Sequence, residues 1–166
     1  MSNHQPTIIV DTREKIPWRF NKSKYCMGSI SQKLDLGDYS IIGMQNIFVV
    51  ERKGSAAELY RNLGIDKVRF IKEMEGLKSF KYKFLIIECD VKDIIDFPTI
   101  IKKYGKKTVL TPQYIFSQLV EIRIKYGVEF MFIGSMKKDK DRKKIKQFLN
   151  RFFYKFYNMY MNGNLP

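Results

Sequence analysis

Gly37-Asp38-Tyr39 and, further along, Glu51-Arg52-Lys53 are the residues of this chain whose types and spacing can do chemistry. An acid on one strand and a Glu-x-Lys on its neighbour are the minimal equipment for metal-dependent cleavage of a phosphodiester. In such a reaction a cation polarises the phosphate, lowers the pKa of a bound water and stabilises the leaving oxygen. Clustered acids raise one another's pKa, and the charge of a bound cation reverses that. Carboxylate and water ligands favour Mg²⁺ or Mn²⁺ over zinc. His4 is the single histidine, and neither Cys26 nor Cys89 belongs to a close Cys/His set, so a zinc centre is not expected.

The elements that must position these residues read as a hairpin. Residues 33–42 and 47–52 are β-branched and aromatic enough for strands, and Gly43-Met44-Gln45-Asn46 has the Gly and Asn of a tight turn. With Met44 and Gln45 as a two-residue loop, Ile42 pairs with Ile47 and Asp38 faces Glu51. Directly opposed side chains have Cβ atoms about 4.5–5.5 Å apart, where two like charges are destabilising unless a cation joins them. A slip of one residue makes the acids diagonal neighbours instead. Lys53 shares a face with Glu51, while Val50 and Arg52 point to the other. Charged residues directly after the apolar run 47–50 fit the strand ends where substrates gather in α/β sheets. On the hairpin alone, a catalytic pair and an ordinary solvated hairpin are equally compatible with the residues.

A second segment separates those readings. Thr7-Ile8-Ile9-Val10 is a continuous apolar run, as in a strand buried on both faces, and it ends in Asp11-Thr12-Arg13-Glu14. The set Val10-Asp11-Thr12-Arg13-Glu14, Gly37-Asp38-Tyr39 and Glu51-Arg52-Lys53, in this order, resembles the nuclease domain of the XPF–Hef family. That family belongs to the PD-(D/E)XK nuclease superfamily and cuts branched or flapped DNA. The resemblance runs from about Thr7 to the C-terminal helix. It implies an α/β, restriction-endonuclease-like fold with a central mixed sheet flanked by helices.

The resemblance also implies roles. Asp38 and Glu51 would be the principal ligands of Mg²⁺, for which Mn²⁺ can substitute, with Asp11 a further carboxylate on the same ion or a second one. Lys53 would orient or activate the attacking water. Arg52, on the opposite face, would pack or pair with a carboxylate; Arg13 and Glu14 would contact phosphate or support the metal cluster. Tyr39 completes the Gly-Asp-Tyr motif in a supporting place, and Arg69 matches a basic residue of the following helix. Two positions depart from the family pattern. Ala57 stands where relatives carry an Asp four residues after the motif lysine, with Glu58 one step on, and Glu73 stands where relatives often have Gln.

The expected activity is a Mg²⁺-dependent endodeoxyribonuclease acting on branched, flapped or junction DNA, in repair or recombination. The alternatives are a non-catalytic DNA-binding or architectural partner of the same fold, and an RNA-directed nuclease. With 166 residues the chain is expected to be one nuclease domain, its core about residues 7–160, without the helix-hairpin-helix or helicase modules of relatives.

Composition agrees with a polyanionic partner. Thirty-one Lys and Arg against 17 Asp and Glu leave a net charge of +14. An AT-rich genome or attraction to an anionic membrane gives the same balance. No apolar run approaches the roughly 20 residues of a spanning helix, and the N-terminus lacks a signal-peptide pattern. A reducing cytoplasm is expected, or wherever DNA is processed in a eukaryotic or viral host.

The remaining sequence reads as scaffold. Residues 56–63 and 66–77 have helical spacing, and 83–89 is a buried strand. Residues 90–105 read as a short helix broken near Pro98 and then a basic loop. Thr111-Pro112 starts a helix that runs to 125 and stops at Gly127. Residues 128–133 form a last strand and 135–161 a long helix. That helix is basic in its first half (137–144) and aromatic in its second, where Phe148, Phe152, Phe153, Tyr154, Phe156, Tyr157 and Tyr160 exceed what one sheet face needs. Part is expected to pack on the 130–133 strand, and the surplus to pair two copies as a homodimer. Gln113, Tyr114 and Gln118 read as a polar helix face and Trp18 as a core or loop anchor.

Overall fold

The computed structural model describes residues 4–136 and 139–165. Six strands form one sheet: β1 (Thr7–Val10), β2 (Gly28–Ser31), β3 (Tyr39–Ile41), β4 (Phe48–Lys53), β5 (Tyr82–Ile87) and β6 (Glu129–Phe132). Their order is β2-β1-β3-β4-β5-β6. β2 runs parallel to β1, β3 is antiparallel to β1 and β4, and β5 and β6 run parallel to β4. The mixed α/β sheet is the one the motifs imply.

Helices cover both faces. On one lie α1 (Ala56–Leu63), α2 (Lys67–Gly76), α3 (Val91–Lys103) and α4 (Pro112–Tyr126), packed with Val49, Leu85 and Ile87 around one core. On the other lies α5 (Asp139–Met161), whose Ile145, Leu149, Phe153 and Phe156 meet Ile8, Phe48, Val50 and Ile86. Successive residues of β4 therefore enter opposite cores, as strand alternation requires. Two covered faces also explain why Ile8 to Val10 and Phe48 to Val50 are apolar without alternation.

Local chemistry sets the helix limits. Ser55 Oγ accepts from the Glu58 amide at 3.2 Å, while the Glu58 carboxylate accepts from the Gly54 amide at 2.8 Å, so both chain directions at the start of α1 are capped. Thr111 Oγ1 accepts from the Tyr114 amide at 3.2 Å, Pro112 occupies the first turn, and Gly127 at φ +66° ends α4 as expected.

Three local expectations are corrected. The strand expected over 33–42 is only Tyr39–Ile41, because residues 32–38 cross the sheet end as a bent segment. The hairpin register nevertheless holds, since Tyr39 pairs with Val50. Its connection is not a two-residue loop. Met44 turns into the core, and its carbonyl accepts from the amides of Ile47 and Phe48 at 3.0 and 2.9 Å. Pro98 does not break α3. The carbonyl of Ile94, four residues earlier, loses its helical donor to the proline and accepts instead from the Tyr60 hydroxyl at 2.9 Å. The core under α5 includes Met131 and Ile133 of the expected 130–133 strand, together with β1, β3, β4 and β5, while Phe130 and Phe132 turn to the opposite core. Lys137 and Lys138 of the expected basic half lie outside the described residues.

Candidate active site

The candidate residues collect at one edge of the sheet because β1, β4 and β5 all run toward it and β3 starts from it. Asp11 follows β1, Glu51-Arg52-Lys53 ends β4, Glu88 follows β5 and Asp38 precedes β3. Gly37 makes this arrangement sterically feasible. It has φ +78°, and a Cβ there would lie 2.2 Å from Val49 Cγ2 and 3.2 Å from the Val50 carbonyl oxygen. The next residue is thereby clamped in place. The Asp38 amide donates to the Val50 carbonyl at 2.9 Å, the Asp11 amide donates to the Asp38 carbonyl at 2.8 Å, and the Arg52 amide donates to Asp38 Oδ2 at 2.7 Å.

Asp11, Asp38, Glu51 and Glu73 line one cavity of about 150 Å³, together with Arg13 and Gly37. The Asp38 carboxyl is pushed up to about 8, first by burial and then by repulsion from Glu51. Glu51 is raised too, by burial, against the pull of Lys53. Lys53 is only 5% exposed, with Nζ 2.7 Å from Glu51 Oε1, 4.0 Å from Glu73 Oε2 and 5.0 Å above the Phe70 ring. Burial alone would lower its pKa, but the Glu51 carboxylate reverses the direction and keeps the ammonium charged.

Asp11 is in a different state. Oδ1 accepts from the Arg13 amide (2.8 Å) and Nε (2.7 Å), and Oδ2 from the Leu34 amide (2.6 Å) and Arg13 Nη2 (3.2 Å). Burial raises its pKa, yet these donors outweigh burial and leave it below the ordinary value. Arg13 also donates to the Leu34 carbonyl at 2.8 Å, so the Asp11–Arg13 pair holds the start of the bent segment that carries Asp38.

Arg52 takes the carboxylate partner expected of its face. Nε and Nη2 donate to the two oxygens of Glu88 at 2.7 and 3.1 Å, and Nη1 lies 3.3 Å from Glu14 Oε1. Trp18 donates from its indole N–H to Glu88 and from its backbone to the Tyr39 hydroxyl at 2.8 Å. Its ring stacks on Tyr39 with centroids 4.4 Å apart. Tyr39 and Trp18 are thus buried supports, as expected of the tryptophan. Glu88 belongs to none of the three sequence motifs. It stands at the end of the apolar run Phe84–Ile87 just as Glu51 follows Phe48–Val50, and that strand-end pattern was the available signal.

Arg69 sits at the rim, 63% exposed at its side chain, 3.0 Å from Asp66 and 3.7 Å from Glu73. Glu58, beside Ala57, spends its carboxylate on the α1 cap described above.

The donor set can be tested against a metal. Among the described residues no three His, Cys, Asp or Glu side chains form a group able to hold a metal ion by themselves. Mg²⁺ does not need one, since it keeps several waters and binds proteins through one or two carboxylates plus substrate phosphate. Asp38 and Glu51, partly buried side by side and each raising the cost of ionising the other, have the chemistry of such a pair. Asp11 differs from that pair in that both of its oxygens already accept hydrogen bonds.

The chain matches the ERCC4 domain over residues 10–138. Among solved structures, XPF from Aeropyrum pernix is similar with a TM-score of 0.57 and 19% identity, covering 89% of this chain and 61% of that one. XPF from Aeropyrum pernix in a complex with DNA gives a TM-score of 0.57 and 18% identity, covering 91% and 66%. The chain therefore spans less than two thirds of either, and at these identities the likeness is one of fold. No curated protein in the comparison matches the sequence.

Proposed function

The chain belongs to the ERCC4 domain family, whose members include XPF-type nuclease domains, and from that premise we propose that it is a metal-dependent endonuclease hydrolysing phosphodiester bonds in DNA. The observation that carries the proposal is the partly buried Asp38–Glu51 pair, with the charged Lys53 at 2.7 Å from Glu51. Repulsion and burial make the pair hold a proton at neutral pH that an ordinary carboxyl would have lost, and a divalent cation that displaces this proton turns the unfavourable pairing of charges into binding.

Asp38 and Glu51 would hold Mg²⁺, or Mn²⁺ in its place, through one carboxylate each. Bound there, the ion supplies Lewis acidity to the scissile phosphate and an acidified water. Lys53, released from Glu51, orients the water that attacks phosphorus and offsets the negative charge gathering on the phosphate oxygens. The bond from phosphorus to the leaving sugar oxygen then breaks and that oxygen takes up a proton, while the attacking water gives one up to solvent. Arg52 fixes Asp38 through its amide, and Glu88 fixes Arg52 through the bidentate pair. Asp11 and Arg13 position the segment that carries Asp38, while Arg69 and Glu73 set the electrostatics of the rim.

Branched, flapped or junction DNA is the proposed substrate, and the whole chain is proposed to act as a single domain. Self-association through the helical side is also proposed. The apolar surface that α5 leaves for it is Phe148, Tyr160 and Met161, since Phe153 and Phe156 are spent on the core. Light scattering of the purified chain reads the oligomeric state directly.

Cleavage is tested with labelled flap, fork, four-way-junction, duplex and single-stranded DNA, in Mg²⁺, Mn²⁺ or EDTA, beside an Asp38→Asn control. Metal-dependent cutting lost in the variant is the expected result. Tight binding without cutting under every condition would make the chain a binding module, and cutting that requires a ribose at the scissile position would make it an RNA enzyme.

A further inference from the structure

Lys53 carries its charge into the interior, where, among the described residues, Glu51 and Glu73 are the acids within ion-pair distance of it. Its Nζ donates to Glu51 Oε1 at 2.7 Å, while Glu73 Oε2 lies at 4.0 Å, beyond hydrogen-bond reach. The Lys53 side chain is 6% exposed, so solvent does not replace a lost partner. In the nuclease reading the Glu51 carboxylate passes to a divalent cation. A carboxylate so neutralised attracts an ammonium only weakly, and the cation repels it. A buried charge left without a partner is strongly unfavourable. Lys53 then needs a second anion.

Glu73 is placed to be that anion. It lines the small cavity beside Asp11, Asp38 and Glu51. Asp11 already accepts four hydrogen bonds, and Glu58 gives its carboxylate to the Gly54 amide. One helix builds the seat. Phe70 and Glu73 stand one turn apart on the same face of α2, and the Phe70 ring lies 5.0 Å beneath Lys53 Nζ. Phe70 and Met74 are fully buried and fix the roll of the helix. Arg69, one turn before Glu73, approaches Oε1 at 3.7 Å, so the other oxygen is the one that faces Lys53. Arg69 is itself held 3.0 Å from Asp66.

We propose that Glu73 is the positioning residue of Lys53: the ammonium passes from Glu51 to Glu73 when the Glu51 carboxylate passes to Mg²⁺, and it stays charged in the cavity that the substrate phosphate enters. The inference rests on the nuclease reading and names the residue that frees Lys53 for its part in it. No proton moves in the exchange; one ion pair replaces another. Without the Glu73 carboxylate, ammonium and cation compete for Glu51. With it both are accommodated, so loading the site and placing Lys53 become one event. A carboxylate that held the ion itself would act independently of Lys53, and a double-mutant cycle separates the two roles.

The test is a Mg²⁺ titration of the full chain without DNA, read by calorimetry, on the unmodified chain, Glu73→Gln, Lys53→Met and the double variant. Glu73→Gln is expected to weaken Mg²⁺ binding about fivefold in the unmodified background, and by less than about twofold beside Lys53→Met, where no ammonium has to be rehoused. Lys53→Met alone is expected to tighten binding, since the competitor for Glu51 is gone. Glu75→Gln removes a charge from an exposed position of the same helix and is expected to leave the affinity within about twofold. The nitrogen–proton correlation of the Lys53 ammonium, identified by its absence in Lys53→Met, gives a spectroscopic readout. Mg²⁺ is expected to shift that signal in the unmodified chain and to broaden it beyond detection in Glu73→Gln.

Equal losses from Glu73→Gln in both backgrounds would overturn the proposal and make Glu73 a ligand of the ion. A Lys53 signal that Mg²⁺ leaves unchanged, or the absence of any Mg²⁺ response, would overturn it too. DNA cleavage by the unmodified chain tests the nuclease reading separately. Cutting without the coupling leaves the nuclease standing and removes the exchange. Coupling without cutting by any form supports the exchange and removes the nuclease.

Discussion

Asp11 and Asp38 are two aspartates at adjoining strand ends, lining the same small cavity, and they are held in opposite electrostatic states. Asp11 accepts four hydrogen bonds and has its pKa lowered. Asp38 accepts one from the Arg52 amide, faces Glu51, and has its pKa raised to about 8. Both are withdrawn from water, so burial alone does not separate them. The donors do. A carboxylate supplied with enough N–H groups is a structural anion, whereas one given a like-charged neighbour waits for a cation.

The largest test of that contrast is Asp38→Asn. It is expected to cut cleavage by about 10³-fold, the loss of several kcal/mol of metal-assisted stabilisation, and to abolish the rise in melting temperature produced by Mg²⁺. Asp11→Asn should do the reverse: the protein loses about 2 kcal/mol of stability in urea titration, from charge-assisted hydrogen bonds left weaker or unmade, while Mg²⁺ still raises its melting temperature. Equal effects of the two substitutions on metal response would erase the distinction.

Gly37→Ala is expected to cost about 1–3 kcal/mol by overpacking against Val49, with added strain from its positive φ. Because Gly37 places Asp38, the Mg²⁺ response should fall with it. A variant destabilised to the same degree elsewhere in the core provides the comparison.

The pH dependence sharpens the contrast further. A carboxyl whose pKa is about 8 in the fold and near its ordinary 3.8 in the unfolded chain holds its proton more tightly when folded. Its contribution to stability is fully present below the unfolded value and is lost as pH rises through the folded one. The metal-free protein should therefore lose stability between about pH 4 and pH 8, by at most about 1.4 kcal/mol per pH unit. Asn at position 38 should flatten that profile, and saturating Mg²⁺ should stabilise most at its alkaline end. Denaturant midpoints across the range, with and without EDTA, read both.

The smallest effect expected is at Glu58. Its carboxylate caps α1 rather than joining the acid pair, so Glu58→Gln should cost about 0.5–1 kcal/mol at most and leave cleavage unchanged. A large loss of activity would return Glu58 to the metal cluster.

Much of this arrangement is written locally. The apolar runs before Asp11 and Glu51, the glycine before Asp38 and the capping residues Ser55 and Thr111 act within a few residues, so one sequence suffices to read them. The strand register that puts Asp38 beside Glu51 is equally local, since Tyr39 and Val50 belong to adjoining segments. β2 escaped because Gly28-Ser29-Ile30-Ser31 is a short edge strand with little apolar signal. The passage of α3 through Pro98 escaped because its cure, the Tyr60 hydroxyl, comes from another helix. The same is true of the site's deeper wiring. That Arg52 is gripped by Glu88, that Leu34 and Arg13 saturate Asp11, and that Glu73 stands beside Lys53 all depend on residues far apart in the chain. Residue types and spacing determined which groups could do chemistry and on which strands they would stand. Only the packed structure decided which carboxylates were already satisfied, because hydrogen-bond donors and burial are properties of neighbours that the chain meets by folding.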